Sequence, residues 1–470
     1  MHLTSSTEAD SPGAALGASA SLAAFSAQIQ LQDLSTETRE TAKRLLLDGI
    51  GCLLVGTAGD PGRIAWRTVS RFGSGDGPST AIISGRKISV RDAAFVNGIS
   101  LYSVGVNDIH KESMSHPGGC IVSALLAMGE WKDSPGADIV AAMASGYELM
   151  GRLGRATIPG LWDRGFHPTG MFGPFGATAA AGRLLGLSAD QMANALGIAG
   201  SQSSGLKAFQ TDGSLTMVFH AGRSAQNGIE AAVLAQEGFT GPKAVFEDRQ
   251  GFIATTGGGN LAALTDGLKR TYEIDATTFR PYYGCTLTIA ASGASAEIMK
   301  RRPERGAGDI TSIQVRCHPK VIEDVGNENP KTMLAARLSI QFNIALVLQR
   351  GDVVVGDITD ADLWEPGIRR LLPLCEFEPD TSVENWGCHL KIMFADGSHE
   401  NASMIYPKGD PANPMTWEDT TKKFLGIVAP LGRNEQAAKV ADMVRHLEQH
   451  RGAELVAAIA DVVPLERRLN

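Results

Sequence analysis

Helical periodicity with almost no strand alternation runs from Leu34 to about residue 275, and it limits this chain more than any other feature. The stretch TRETAKRLLLDGIGCLLVG turns from amphipathic to wholly apolar along its length, which predicts a helix running into a core. Ser35 is its N-cap, and Glu37 stands in the first turn, where a carboxylate meets the positive helix end. Gly56 and the Gly59-Asp60-Pro61-Gly62 turn close it. The same style returns at 65–72, 90–98, 119–131, 136–153, 175–185, 189–199 and 222–237, while only 79–84 reads as extended. The 54 glycines are scattered among apolar, Ala-rich runs, which predicts closely packed helices and not a Gly-rich linker.

The texture then changes. ITSIQVRC (310–317) and CHLKIMF (388–394) alternate as strands do, Asp396-Gly397 is a hairpin turn signal, and HENASMIYP reads as the returning strand. A helix is expected at 335–348 between them. After Pro411-Ala412-Asn413-Pro414, Thr416 caps a return to helix that lasts to the end. The expected fold is mainly α: a large all-helical domain (26–276 and 408–470) with an inserted, smaller α+β lid domain (277–407). Residues 1–25, rich in Ser and Ala, are expected to form a flexible N-terminal tail.

With 470 residues, 43% apolar and 20% charged, the chain has ordinary globular composition and enough length for a large core. A net charge of −8 carries no nucleic-acid footprint, and an anionic substrate would need local cations. No run of about 18 apolar residues predicts a membrane span, and the N-terminus lacks a basic start and apolar run. The six cysteines are scattered with no CxxC pair, so free thiols in a reducing, cytoplasmic compartment are expected.

A P-loop, a dinucleotide GxGxxG, HExxH and GxSxG are all missing, which favours a cofactor-independent enzyme or no enzyme. Four polar clusters carry the candidate chemistry. Asn107-Asp108-Ile109-His110-Lys111-Glu112 with His116 puts imidazoles and carboxylates in one loop, fit for acid–base work. Asp108, His110, Glu112 and His116 are also metal-ligand types, as in a metal-dependent hydrolase, and the plain alternative is a solvated loop. His167 stands between Gly165 and Pro168 before an Ala-rich helix, facing a cavity or bonded to a turn. Lys207 suits a carboxylate, and His220 reads as a packing histidine. Arg280-Pro281-Tyr282-Tyr283-Gly284-Cys285 lies at the helical/α+β junction, where an arginine suits carboxylate recognition.

In order and spacing these segments resemble the MmgE/PrpD family of 2-methylcitrate dehydratase, cis-aconitate decarboxylase and iminodisuccinate epimerase. The markers run collinearly from Leu34 onward: AKRLLLDGIGC, the NDIH…HPGG loop, GYELMGRLG, GFHPTGMFGPFGATAAAGRLLGLS, AGSQSSGL, FHAGRSAQNGIEAAVLAQEGFTGP, NPKTMLAARLSIQF and YPKGDPANPMTWEDTTKKF. The resemblance implies a homodimer, no required metal or other cofactor, and an interdomain cleft for small di- or tricarboxylates. Asp108 and His116 match the family's aspartate-rich stretch and loop histidine, and His167 its GxHxTG histidine. The chain departs at Gly105 and Met217, where relatives carry Asp and an active-site Lys. Arg280 stands for a lysine, and Cys285 for a histidine of some members.

Together these readings predict a cofactor-independent lyase of the dehydratase or decarboxylase type. Its substrate is a small anionic carboxylate, with no nucleic-acid or membrane partner. His116 and His167 are the acid–base candidates, and Asp108 orients an imidazole or takes the proton. Tyr283 donates to a developing oxyanion, and His110, Lys207, Arg280 and Tyr282 bind substrate. The alternatives are an epimerase of an amino- or imino-dicarboxylate, with His116 and His167 on opposite faces of one carbon, and a non-catalytic carboxylate-binding member.

Overall fold

Helices start where short polar side chains cap them. Ser35, Ser89, Ser188 and Thr416 each accept a hydrogen bond from the backbone N–H three residues on, at 3.0–3.2 Å. Each satisfies a donor that the first helical turn leaves unpaired. The computed structural model describes residues 17–73, 75–351, 358–384 and 386–469.

The chain is mainly helical. Its first part runs α1 (Ala18–Gln28), α2 (Thr36–Gly56), α3 (Asp60–Arg71), the β1 (Ser79–Ala81) and β2 (Arg86–Ile88) hairpin, and α4 (Val90–Ser103). The two-residue β3 (Ile109–His110) precedes α5 (Pro117–Lys132) and α6 (Gly136–Thr157). Then come α7 (Gly160–Asp163), α8 (Pro168–Leu185), α9 (Ala189–Gln202), α10 (Phe209–Asp212), α11 (Thr216–Gln236) and α12 (Phe252–Thr255). Helix α8 lies inside, packed by α5, α6 and α11. Close helix approach is what the small residues permit: a Cβ on Gly98 of α4 would stand 2.7 Å from the Cα of Gly222 in α11.

A second core begins after β4 (Thr277–Thr278), which pairs antiparallel with β3. Helix α13 (Ile289–Arg301) is followed by β5 (Ile310–Cys317), α14 (Pro319–Val325), α15 (Met333–Arg337), α16 (Ile340–Arg350), α17 (Pro366–Leu371) and β6 (Cys375–Pro379). The hairpin β7 (Cys388–Phe394) and β8 (His399–Met404) completes a sheet of order β6-β5-β7-β8. Strand β5 is parallel to β6 and antiparallel to β7. Buried residues of β5 and β7 alternate as the sequence pattern requires; α13 packs against β7 and β8, and α16 against α13. The chain returns to the first core through α18 (Trp417–Val428), α19 (Asn434–Arg445) and α20 (Gly452–Val462), with α18 and α19 against α2 and α20 against α5. No described helix is long and apolar enough to cross a membrane. All six cysteines are free thiols.

Three expectations are corrected. The tail expected at 1–25 lies partly outside the described residues, but from Ala18 it is helix. Leu22 and Phe25, three apart on one face, enter the main core, and Glu247 holds Ser19 at the helix start. The single helix expected at 335–348 is two: Ser339 accepts from Phe342 N–H at 3.1 Å and caps α16 separately from α15. The sheet of the second core, expected from three strands, has a fourth: β6, CEFEP, is a short edge strand beside β5 whose half-buried Cys375 and Phe377 alternate with exposed Glu376 and Glu378.

Candidate acid–base site

The loop between α4 and α5 is tied down from the junction and from the segment that returns to the first core. Arg280, 1% exposed, donates from Nε to the Asn107 carbonyl (2.5 Å) and from Nη2 to Asn107 Oδ1 (3.0 Å). Lys423 of α18 donates to the Val106 carbonyl at 2.8 Å while pairing with buried Asp48 at 2.5 Å. Lys111 pairs with Asp410 at 2.5 Å, so the returning segment also grips the loop. A segment that is polar and reads as solvated is thus largely interior.

Asp108 is 3% exposed. Its Oδ2 accepts from Tyr147 Oη at 2.8 Å, and both oxygens accept from Gly118 N–H at 3.1–3.2 Å. Burial pushes this carboxyl up to about 6, aided by the Asp48 carboxylate and opposed by the tyrosine hydroxyl. It therefore titrates close to neutrality.

His116 and His167 occupy the same local position. Each is the N-cap of a helix whose first residue is proline, Pro117 or Pro168. Proline keeps the preceding residue out of the helical region, and both histidines are indeed non-helical (ψ 84° and 110°). His116 Nδ1 lies 2.6 Å from the Asp108 carbonyl. A carbonyl only accepts, so Nδ1 carries the proton and Nε2 keeps a lone pair. Burial, then the Arg280 charge, hold this imidazole well below its usual range, so it is an uncharged base at neutral pH.

His167 is 5% exposed, and its Nδ1 lies 2.9 Å from Nδ1 of His220 on α11. Burial pushes the two rings down to about 3 and about 4. One neutral ring must donate and the other accept, so His220 governs which tautomer His167 holds. The Tyr102 ring lies between the two helix starts, 5.3 Å from the His116 ring and 6.4 Å from that of His167. Thr169 links them, accepting from His116 N–H at 3.1 Å and bonding Tyr102 Oη at 3.3 Å. A cavity of about 10 Å³, lined in part by His220, Gln202 and Asn227, holds the space of about one water.

The other expected residues fall elsewhere. His110 is buried with Nε2 3.1 Å from Glu273 and Nδ1 3.0 Å from Ser113 Oγ, so its ring serves the β3/β4 junction. Glu112 is exposed, 3.3 Å from Arg155. Asp108, His110, Glu112 and His116 therefore do not converge on one point, which corrects the metal-hydrolase alternative. Among the described residues no group of three or more His, Cys, Asp or Glu side chains forms a metal-ligand set. Lys207 Nζ sits 3.6 Å from the centre of the Trp162 ring, near enough to His167 to disfavour its protonation further. Tyr283, expected as an oxyanion donor, instead donates its hydroxyl to the Met333 carbonyl at 2.9 Å and packs between both cores. Tyr282 lies against Gly293 of α13. Met217 is in the first turn of α11, three residues before His220, and is half-buried.

Sequence reasoning passed over Tyr102, Tyr147, Thr169 and Arg337, and took His220 for packing. Tyr147 and Arg337 lie within GYELMGRLG and NPKTMLAARLSIQF, but nothing in those segments shows that they meet the 105–116 loop. The charge of Arg337 acts on Arg280, His116 and Tyr102 together.

These features define a two-core, mainly helical protein in which Asp108, His116, His167 and Arg280 act electrostatically on one another near the junction of the cores. The chain belongs to the MmgE/PrpD family: the MmgE/PrpD N-terminal domain matches residues 20–264, and the C-terminal domain residues 282–449. It is 26% identical to cis-aconitate decarboxylase of Aspergillus terreus, over 97% of this chain and 96% of that protein. It is 27% identical to a cis-aconitate decarboxylase-like protein of Aspergillus oryzae (92% and 95%) and 26% to human cis-aconitate decarboxylase (89% of each chain).

Proposed function

We propose that this chain is a cofactor-independent lyase, of the decarboxylase or dehydratase type, acting on a small di- or tricarboxylate. One observation carries the reading: His116 presents an uncharged Nε2 while the buried guanidinium of Arg280 bears on the same place. Proton transfer beside a carboxylate needs a base together with a cation for the enediolate-like charge that develops. Among the described residues Arg280 hydrogen-bonds only neutral acceptors of Asn107, and the Asp48 and Asp108 carboxyl groups near it form no ion pair with it, so its guanidinium can pair with a ligand carboxylate. The names of the relatives support the substrate class.

In this reading the substrate carboxylate faces Arg280. His116 Nε2 takes or returns the proton at the adjacent carbon. The His167–His220 pair serves the other side, because one ring can give a proton as its partner accepts one. Asp108 orients His116 through its own backbone carbonyl.

The test is an NMR assay in deuterated water, with purified protein, chelator and citrate-, aconitate-, tartrate- and aspartate-derived acids. Loss of carbon dioxide or water from one acid supports the lyase. Deuterium exchange without net product overturns it in favour of an epimerase. Tight carboxylate binding with no turnover overturns it in favour of a binding protein.

A further inference from the structure

Gly105 has φ +74°, a conformation that side-chain-bearing residues rarely adopt. A Cβ built there would overlap Cζ and Nη1 of Arg337. The guanidinium thus fills the space that any side chain at 105 would need. Arg337 reaches it from the end of α15, whose position is held by Tyr283 Oη on the Met333 carbonyl and by Asn343 Nδ2 on the Ala336 carbonyl at 3.1 Å.

The guanidinium is half-buried and, among the described residues, has no hydrogen bond or ion pair. Arg280 lies within electrostatic reach of it, and the two charges oppose one another. Arg280 is fully buried and likewise forms no ion pair among the described residues. Asp48 and Asp108 lie within electrostatic reach of Arg280, but neither is paired with it or with Arg337 among the described residues, and two guanidiniums held together without a paired carboxylate favour an arriving anion. Arginine's planar fork suits a carboxylate, which takes two parallel hydrogen bonds.

We propose that Arg337, seated over Gly105, binds a second carboxylate of the substrate, so that the two arginines together select acids with at least two carboxylates. This rests on the function proposed above. It adds a residue from the second core and gives Gly105 a purpose, as the gap that admits a cation.

The test is calorimetric titration of cis-aconitate into the wild-type chain and into the Arg337→Gln, Arg337→Lys and Gly105→Ala variants, with thermal unfolding of each. Arg337→Gln is expected to weaken binding roughly 10- to 100-fold, the range for a hydrogen bond to a charged group. Arg337→Lys should recover part of that loss, because the charge stays while the fork is gone. Gly105→Ala should weaken binding although Arg337 is intact. Wild-type affinity in a folded Arg337→Gln protein overturns the role of Arg337 and leaves the function standing. If the wild-type protein binds neither cis-aconitate nor any other carboxylate of the panel, the function falls and this inference with it.

Discussion

His116 and His167 stand at two helix starts of the first core, while Arg280 and Arg337 come from the junction and the second core. The two regions hold their side chains differently. At the helix starts each ring nitrogen that is bonded has a near neighbour from the backbone or from another imidazole, and burial keeps both rings uncharged. On the other side the cations have neutral partners or none in the described set. The helical core therefore supplies proton acceptors of fixed orientation, and the second core adds charge. A site divided in this way should separate under mutation: changes at the helix starts act on the chemical step, and changes at the arginines act on binding.

The largest effect should come from His116→Gln, which keeps the N-cap position polar but removes the base. Turnover on the true substrate is expected to fall by about 10²- to 10⁴-fold with little change in carboxylate affinity. Equal losses in both would break the division. Next, Arg280→Lys should act mainly on affinity, by roughly tenfold or more, because it keeps the charge and gives up the paired donors that hold Asn107 and that would suit a carboxylate. Calorimetry read beside turnover distinguishes these cases.

The pH dependence of stability sharpens the comparison within the helical core. The His167 ring is held down to about 3, against about 6.5 in an unfolded chain. The unfolded state therefore binds more protons between those values. Stability should fall as pH drops from about 6.5 towards 3, by on the order of a few kcal/mol, and His167→Gln should flatten that slope. Asp108 has the opposite sign. Its carboxyl, pushed up to about 6 against about 3.9 unfolded, contributes stability at low pH that is lost as pH rises from about 4 to 6. Asp108→Asn should remove that decline, and Tm measured against pH checks both. The smallest effect is expected at Tyr283→Phe. Loss of one hydrogen bond to Met333 should cost about 1 kcal/mol and affect carboxylate affinity more than turnover, since it loosens the segment carrying Arg337.

Much of the fold was legible because period and caps are local properties. Helix α2 begins at Thr36 after Ser35, and the β7/β8 hairpin turns about Asp396-Gly397, as their residues predict. The misses share a cause. Helix α1 looks like tail because Ala and Ser carry little period, and only contact with the main core shows that Leu22 and Phe25 are structural. Strand β6 alternates Cys375 and Phe377 with two glutamates, but over only five residues, too short a run to stand out without its partner β5.

At the site, the sequence alone identified Asp108, His116, His167 and Arg280 as polar residues beside helix starts or a junction. Its resemblance to the family further implies that Gly105 and Met217 depart from the family pattern. Helix starts, prolines and glycines act over a few residues, so they can be read without a fold. Only the tertiary structure decided which polar groups meet. It turned His110 to Glu273 and Lys207 to Trp162, joined His167 to His220 across 53 positions, and brought Arg337 onto Gly105. Those pairings depend on packing between elements distant in the chain. Burial, itself a product of packing, then determines which of the groups carry charge.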